Sequence, residues 1–434
     1  MSTTASEPVG DIAGLVGPGF EGVRDAFAQN FDEGRELGAA FCVHVGGRKV
    51  VDLYGGWFDV ERQVRYGPDA LQLVFSSTKG ATAVCANLLA QRGLLDMDAP
   101  VVRYWPEYGQ AGKEATLVRH LLCHQAGVPA IDRRLSPEEF WSWTPIIQAV
   151  EAQSPFWEPG SAHGYHALSY GNLVGELVRR VTGRSLGTFF AEEVAGPLGL
   201  EFFIGLPSSY EERVSPIVGA NFGEVAGGGA GGRAGVGGGG GEGGGDGAGG
   251  GGGEAGGGGG TGGGGYASTL LARALNLGGA IRDMNWMNNR AWRAAELPGG
   301  NGITNATSLS RLYASLIGPV EGGPSEPLLT RDQVDKARTP LTSGADQVFA
   351  SVGFTLKQKI GLGFWRSSPV TPFGGEGSFG HGGAGGSYGF ADPENGLAVA
   401  YVMNKMSMEM LGDTRAHGLL KAAYEAVGAQ AEHI

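Results

Sequence analysis

Apolar side chains near the N-terminus follow first a helical and then a strand-like spacing. Across residues 20–31 they recur every three or four positions, which is typical of one face of a helix. Residues 39–45 and 50–57 are rich in β-forming side chains, and Gly46-Gly47-Arg48 lies between them. The order predicts a helix followed by a β-hairpin.

The spacing becomes helical again after residue 76, and strands return towards the end of the chain. Residues 80–95 read as an amphipathic helix, and further helices are predicted at 117–122, 137–152, 168–181, 186–194 and 308–317. Strands are predicted at 360–365, 387–391 and 397–403, and a turn at 392–396 joins the last two as a hairpin. A closing helix is predicted at 410–427.

This distribution indicates an α+β protein whose two ends form one domain. We expect an antiparallel sheet domain flanked by helices, with a helical domain inserted into it. The predicted boundaries are residues 1–80 and 310–434 for the sheet domain and 81–309 for the helical domain. A crevice between two such domains is a natural place for a substrate.

One segment departs sharply from the rest in composition. Residues 223–265 contain 30 glycines in 43 positions. Such a segment buries too little surface to offset its ordering entropy, so the sequence predicts a flexible, disordered insertion or an artefact of the reported sequence. No phosphate-binding loop pattern ending in Gly-Lys-Ser or Gly-Lys-Thr occurs in it.

Charge and composition narrow the range of functions. The 434 residues carry a formal charge of -12, which argues against nucleic acid and against an anionic membrane as partners. No apolar run is long enough to span a bilayer, and residues 1–16 lack the features of a secretory signal. The three cysteines, Cys42, Cys85 and Cys123, sit in apolar surroundings and indicate buried free thiols in a reducing compartment. We therefore expect a cytoplasmic protein.

The most informative short pattern is Ser76-Ser77-Thr78-Lys79. If Ser76 opens the helix that follows, Lys79 lies one turn later on the same face. A lysine buried at a helix start is disfavoured as a cation, so it can take the proton of a serine nucleophile. The ordinary alternative is an N-capping serine followed by a solvated lysine.

Two later segments strengthen the catalytic interpretation. Tyr165 lies in a stretch just before a predicted helix, and a tyrosine near an ammonium group can have a lowered pKa and exchange protons with a serine or a leaving group. Residues 379–387 are rich in glycine, which lets backbone approach a ligand and present an N–H to an oxyanion. The alternatives are a satisfied buried tyrosine and a glycine-rich turn.

With these segments the chain resembles the serine β-lactamase and penicillin-binding-protein superfamily. The match is best with its β-lactamase-like carboxylesterases, the family VIII esterases, and runs over about residues 38–406 without the glycine segment. The resemblance implies that Ser76 is the nucleophile and Lys79 its partner. It places the second motif on Tyr165-His166-Ala167 and the third on His381-Gly382-Gly383, a substrate-binding strand. It also implies an oxyanion hole made by the backbone N–H groups of Ser76 and Ala384.

Two departures from the family pattern bear on the substrate. Ala167 stands where the second motif has asparagine, and His381 stands where the third has lysine. Histidine is mostly neutral at pH 7, so the site has less positive charge for the carboxylate of a β-lactam. Both departures favour neutral esters. Tyr170-Gly171-Asn172 offers an intact second motif five residues later, but Tyr165 leaves room for a full helix before Gly183 and is preferred.

Other patterns resemble active sites and carry less weight. Ser387 lies in Gly385-Gly386-Ser387-Tyr388-Gly389, which fits a nucleophile elbow, but a strand rather than the required helix is predicted after it. His120 and His124 have the spacing of zinc ligands on a helix, without the glutamate of a metalloprotease motif. We predict that they are structural histidines, and we expect no metal and no cofactor.

The sequence thus predicts a serine hydrolase that cleaves small-molecule carboxylic esters through an acyl-enzyme on Ser76. Lys79 and Tyr165 are expected to share proton transfer. A β-lactamase or D-amino-acid peptidase with the same serine remains an alternative, and so does a catalytically silent binding protein of the same fold. The oligomeric state, acyl chain length and stereochemical preference stay open.

Overall fold

The structure is a computed structural model and describes residues 12–219, 269–281, 284–407 and 413–433. The glycine-rich segment at 223–265 lies outside these residues, and so does the start of the predicted closing helix. The strands are β1 (Ala13–Val16), β2 (Gly38–Val45), β3 (Arg48–Gly56), β4 (Gln72–Leu73), β5 (Phe202–Phe203), β6 (Ile303–Thr304), β7 (Trp365–Arg366), β8 (Phe379–Gly382), β9 (Tyr388–Asp392) and β10 (Leu397–Met403).

The helices are α1 (Glu21–Asp32), α2 (Thr78–Gln91), α3 (Val118–Leu122), α4 (Pro137–Trp141), α5 (Trp143–Ala152), α6 (Ser169–Thr182), α7 (Leu186–Phe190), α8 (Gly196–Leu198), α9 (Leu270–Leu275), α10 (Arg290–Ala294), α11 (Ala306–Ile317), α12 (Arg331–Arg338), α13 (Gln347–Ala350) and α14 (Thr414–Ala426). None of the helices in the described ranges is long and apolar enough to cross a membrane.

Seven antiparallel strands from both ends of the chain form the main sheet, in the order β1-β3-β2-β10-β9-β8-β7. The predicted hairpin is β2-β3, and β2 pairs with β10 over its length, with Phe41 opposite Tyr401. This antiparallel sheet with flanking helices confirms the predicted α+β class. The division into a sheet domain and an inserted helical domain stays a prediction.

Strand β10 shows why the centre of the sheet is apolar on both faces. Every residue of β10 is buried. Ala398, Ala400 and Val402 face a core shared with α2, α6 and α11, whereas the alternate residues face a second core shared with α1 and α14. Side chains alternate between the two faces of a strand, so a strand covered on both sides needs apolar residues at every position.

Two predicted elements differ from the structure for local reasons. The helix predicted at 137–152 is two helices, α4 and α5, separated at Ser142. Pro145 cannot donate a backbone hydrogen bond, and its ring would clash with the carbonyl of Trp141 in one continuous helix. The strand predicted at 360–365 is reduced to β7 and a single bridge from Ile360, because Gly363 has a φ of 88°.

A second, three-stranded sheet was not predicted from the sequence. Its order is β4-β6-β5, and each strand has two residues. The segment immediately after β4 carries Ser76, so this small sheet fixes the approach of the chain to the predicted nucleophile. Cys42, Cys85 and Cys123 are buried and unpaired, as the sequence analysis predicts.

Candidate active site

Ser76 lies in a strained turn at the start of α2. A single 3-10 turn, Phe75–Ser77, connects β4 to the helix. Phe75 has a φ of 46°, a value that residues with a side chain rarely adopt. The Thr78 hydroxyl donates to the Phe75 carbonyl and accepts from the Gly302 amide at 2.8 Å. These bonds hold the turn in place and leave Ser76 half-buried at the cavity wall.

Lys79 is fully buried and reaches Ser76. Its Nζ lies 3.0 Å from the Ser76 Oγ, 2.7 Å from the Ala167 carbonyl oxygen and 2.5 Å from the Gly299 carbonyl oxygen. Burial holds the pKa of Lys79 well below its usual value. A neutral amine has two N–H groups and one lone pair. If the two carbonyls accept the N–H groups, the lone pair is left for the Ser76 proton.

Tyr165 approaches the same oxygen from another side. Its hydroxyl donates to the Ser76 Oγ at 2.6 Å, and its ring centre lies 4.9 Å from the Lys79 Nζ. Burial raises the pKa of Tyr165 above its ordinary value, which is the opposite of the lowering considered from sequence. Desolvation outweighs the hydrogen bond with Ser76, which acts to lower this pKa. The phenol is therefore a proton donor in the resting site.

Tyr170 takes no part in this contact. It lies in the first turn of α6, its hydroxyl has no hydrogen-bond partner among the described residues, and its ring centre is 5.9 Å from the Lys79 Nζ. The structure thus brings together Ser76, Lys79 and Tyr165, while Tyr170 packs behind them.

His124 separates the two tyrosines, a role that the sequence analysis missed. Its ring centre lies 5.2 Å from that of Tyr165 and 5.1 Å from that of Tyr170. The His124 Nδ1 accepts from the His166 amide at 3.1 Å, and the His166 Nε2 accepts from the Val128 amide at 3.0 Å. The histidines therefore fix the loop that carries Tyr165. The positive φ of His124, 61°, could not be read from the sequence.

The third motif lies directly against the nucleophile turn. Gly382, Gly383 and Ala384 line the same cavity as Ser76. A Cβ on Gly383 would collide with the Val74 carbonyl oxygen, so glycine permits this close approach. Ser76 and Ala384 thus line one cavity, and the oxyanion hole formed by their backbone amides stays a prediction.

His381 is not among the described residues that line the cavity. It is buried, and its ring centre is 4.1 Å from that of Trp365, which lines the cavity. Burial lowers the pKa of His381 well below its ordinary value, so the ring is neutral. Direct substrate binding by His381 stays a prediction. At this point Trp365, which packs against the His381 ring, is the side chain that lines the cavity.

Ser387, the serine of the apparent nucleophile elbow, has a structural contact instead. Its Oγ donates to the Val74 carbonyl at 2.9 Å and lies 3.4 Å from the Ser77 Oγ. Strand β9 follows it, without the helix that an elbow needs. Ser387 thus ties the third motif to the turn that carries Ser76.

Arg415 contacts the turn that follows the third motif, at Gly385. Its guanidinium donates to the Gly385 carbonyl at 2.7 Å and pairs with Asp413 and Glu36. The arginine is 3% exposed, although it lies in α14, far along the chain from the motif. This contact could not be predicted from the sequence, since Arg415 belongs to no motif.

The cavity above Ser76 has a volume of about 270 Å³. Its side chains are mostly apolar, and none of the described residues lining it is a lysine or arginine. The lining includes Leu271, Leu275, Phe349, Leu356, Gln358, Trp365, Val370, Thr371, Pro372, Phe373, Tyr388, Asp413, Ala416 and His417. Such a wall suits an uncharged ligand better than an anionic one.

The histidines with zinc-like spacing, His120 and His124, contact other protein groups. The His120 Nδ1 accepts from the Leu117 amide at 3.3 Å, and His124 contacts the tyrosines described above. Within the described ranges, no three His, Cys, Asp or Glu side chains are grouped to hold a metal ion.

Comparison with known proteins identifies the family of this chain. The profile of the beta-lactamase family matches residues 23–424. The chain belongs to the beta-lactamase family. Esterase/beta-lactamase LipL of Mycobacterium tuberculosis is 31% identical over 402 residues, which are 91% of this chain and 83% of LipL. The predicted superfamily and fold are thereby confirmed.

Solved structures of this family superpose over nearly the whole chain. A family VIII carboxylesterase is 33% identical with a TM-score of 0.79, and the match covers 96% of this chain and 100% of that one. A penicillin-binding-protein homologue from Caulobacter crescentus is 34% identical with the same TM-score and the same coverage. The chain is therefore a member of a serine-hydrolase family that includes proteins named as esterases.

Proposed function

We propose that this beta-lactamase-family protein hydrolyses neutral carboxylic esters through an acyl-enzyme on Ser76. The observation that carries the proposal is the position of the Ser76 Oγ, 3.0 Å from a buried amine and 2.6 Å from a buried phenol. An amine with a lowered pKa accepts the serine proton, and a phenol with a raised pKa keeps its own until a stronger base forms.

These residues account for every proton transfer in the acylation half of the reaction. Lys79 takes the Ser76 proton as the Oγ attacks the ester carbonyl, and the amides of Ser76 and Ala384 stabilise the oxyanion. Tyr165 gives its proton to the leaving alkoxide. The Lys79 ammonium then returns a proton to the Tyr165 phenolate. The products are the acylated serine and a free alcohol.

Deacylation follows the same order of steps, with water as the nucleophile. Water gives a proton to the Tyr165 and Lys79 pair as it attacks the acyl carbonyl, and that proton returns to the Ser76 oxygen when the acid leaves. The cavity lining supports esters over β-lactams, because no described lysine or arginine side chain in that lining meets a substrate carboxylate.

The test compares Ser76→Ala with the wild type on p-nitrophenyl butyrate and on nitrocefin. We expect the variant to lose ester turnover while its thermal melt stays near that of the wild type. Intact-mass detection of an acylated Ser76 in the wild type would support the mechanism. A higher kcat/KM for nitrocefin than for the ester would favour the β-lactamase alternative, and no acylation by either substrate would favour a silent binding protein.

A further inference from the structure

The turn from Gly383 to Ser387 carries Ala384, whose amide is a proposed oxyanion donor, and we call it the Ala384 turn. The Gly383 amide donates to the Ser387 carbonyl at 2.6 Å and closes this turn. At its tip, Gly385 and Gly386 have φ values of 83° and 118°. Glycine adopts such values without strain, but it restrains the backbone less than any other residue does. The tip therefore needs contacts from outside the turn to stay in one position.

The nucleophile turn contacts the base of the Ala384 turn. The Ser387 Oγ donates to the Val74 carbonyl at 2.9 Å, and a Cβ on Gly383 would collide with that same carbonyl oxygen. These contacts fix the base and do not involve the two glycines of the tip. Because Ala384 lies between base and tip, the direction of its amide depends on what holds both ends.

Helix α14 and the residues before it contact the tip. The Gly385 carbonyl accepts from the Arg415 guanidinium at 2.7 Å and from the Ser407 amide at 2.9 Å. A Cβ on Gly386 would collide with the Asp413 carboxylate and with the Arg415 guanidinium. The backbone of the tip thus packs directly against this ion pair.

The Arg415 guanidinium is itself fixed by several acceptors. It is buried, and its Nη1 donates to the Glu36 carboxylate at 3.1 Å and to the Lys405 carbonyl at 2.8 Å. Its Nε donates to the Asp413 carboxylate at 2.9 Å. The planar group cannot rotate without breaking several of these charge-assisted bonds. A buried ion pair adds little net stability compared with apolar residues of similar volume, so stability alone is a weak reason for this cluster.

We propose that Arg415 is a positioning residue of the ester reaction, because its guanidinium, fixed by Glu36 and Asp413, holds the turn that directs the Ala384 amide at the oxyanion. Arg415 does not touch the substrate in this role. The inference rests on the proposed esterase function. It makes the rate of the reaction depend on a cluster that lies behind the oxyanion donors.

The experiment compares Arg415→Lys with the wild type on p-nitrophenyl butyrate and on phenylboronic acid. The boron binds the Ser76 Oγ and becomes tetrahedral as the serine proton passes to Lys79, so the adduct mimics the oxyanion intermediate. Lysine keeps the charge but lacks the planar fork that bridges the acceptors. We expect kcat and the affinity for the boronic acid each to fall about tenfold or more. KM should stay nearly unchanged, because both half-reactions use the same oxyanion donors.

Glu36→Gln is a second variant, in case Arg415→Lys does not fold. Glu36 is not among the described residues that line the cavity, and the substitution keeps its shape while removing the charge beside Arg415. We expect kcat and the boronic acid affinity to fall together by about threefold or more. Wild-type values in this variant would overturn the inference.

Arg293→Lys is the matched control. Arg293 is also buried, its Nη1 lies 2.6 Å from the Glu211 Oε1, and it is not among the described residues that line the cavity. This variant should lower the melting temperature and leave kcat and boronic acid affinity per folded molecule unchanged.

Three other results would count against the inference. Wild-type kcat and boronic acid affinity in folded Arg415→Lys would overturn it and leave the esterase proposal standing. Equal losses in Arg415→Lys and Arg293→Lys would also overturn it, because the effect would then follow stability and not the turn. A wild type that neither turns over the ester nor binds the boronic acid would reject the esterase proposal and this inference together.

Discussion

Backbone carbonyl groups position the amine of Lys79. Two of its three hydrogen-bond partners are the carbonyls of Ala167 and Gly299, which lie in different parts of the chain. Ala167 is the position where the family motif has asparagine, and its main-chain oxygen contacts the lysine whatever the side chain is. The lack of a side-chain amide at position 167 therefore leaves the hydrogen bond between the Lys79 amine and the backbone carbonyl intact.

At this scale, Tyr165→Phe is the sharpest test of the proton donor. The substitution keeps the buried ring and removes the hydroxyl that donates to the Ser76 Oγ. We expect kcat and kcat/KM for an ester to fall together, by about 10²-fold or more, because general acid–base catalysis is lost.

Tyr170→Phe is the control for that experiment. The Tyr170 hydroxyl has no partner among the described residues, so its removal should leave turnover close to that of the wild type. The reverse pattern, with Tyr170→Phe inactive and Tyr165→Phe active, would contradict the assignment.

The sequence predicted the side chains of the site better than its backbone contacts. Ser76 and Lys79 are linked by a local spacing, and Tyr165 lies in a segment with its own pattern, so each could be recognised alone. The roles of Gly299 and His124 could not be recognised from the sequence. A carbonyl oxygen has no side-chain signature, and the position of His124 between two tyrosines depends on tertiary packing.

Among the elements, strand β8 and the turn after it decide how close the third motif comes to Ser76. Gly383 touches the Val74 carbonyl region, and Ser387 donates to the same carbonyl. The strand end and the nucleophile turn thus act as one unit. A shift of either would separate the Ser76 and Ala384 amides, which the proposed mechanism uses together.

Two neighbouring glycines allow this coupling to be tested with a matched pair. A Cβ on Gly383 would collide with Val74 and Ser387, whereas a Cβ on Gly382 would find its nearest neighbour at 3.8 Å. We expect Gly383→Ala to lower kcat for an ester by about tenfold or more, by displacing the oxyanion donors.

Gly382→Ala, one residue away in the same cavity lining, should have a much smaller effect on kcat. Circular-dichroism melts of both variants separate a local displacement from unfolding. Equal loss of activity in the two folded variants would count against the coupling.

Long, regular elements were predicted well, and short ones poorly. Strand β10 was predicted at its observed bounds because its apolar run and flanking turn are both local signals. The two-residue strands β4, β5 and β6 exist through pairing between distant segments, for which no local pattern exists. The small sheet below Ser76 was therefore beyond sequence reasoning.

Over the whole molecule, buried histidines dominate the expected response to acid. Burial lowers the pKa of His44 to about 4 and that of His166 to about 3, and it holds the pKa values of His124 and His381 well below 6.5. As pH drops, these histidines take up protons in the unfolded chain at a higher pH than in the folded protein. The free energy of unfolding therefore falls as pH drops below 6.5. Glu36 and Asp346 act in the opposite sense, because burial raises the pKa of each to about 6.

The four histidines outweigh the two carboxyl groups. Between pH 7 and pH 5, proton uptake by these histidines in the unfolded chain lowers the stability, and the two carboxyl groups restore part of it. We expect the free energy of unfolding, measured in urea, to be lower at pH 5 than at pH 7 by a few kcal/mol. Equal or greater stability at pH 5 would show that the histidines are not held neutral.

The pairing of β2 with β10, and the reach of Arg415 to Glu36 and Gly385, have a consequence for synthesis on the ribosome. The chain emerges from its N-terminus, so Ser76, Lys79 and Tyr165 leave the exit tunnel long before α14 does. Until β10 and α14 are free, the hairpin β2-β3 lacks its partner and the Gly385 turn lacks its guanidinium. We expect a nascent chain stalled before α14 to show no labelling of Ser76 by a fluorophosphonate, and the released protein to gain it. The nucleophile would thus acquire its reactivity as one of the last events of biogenesis.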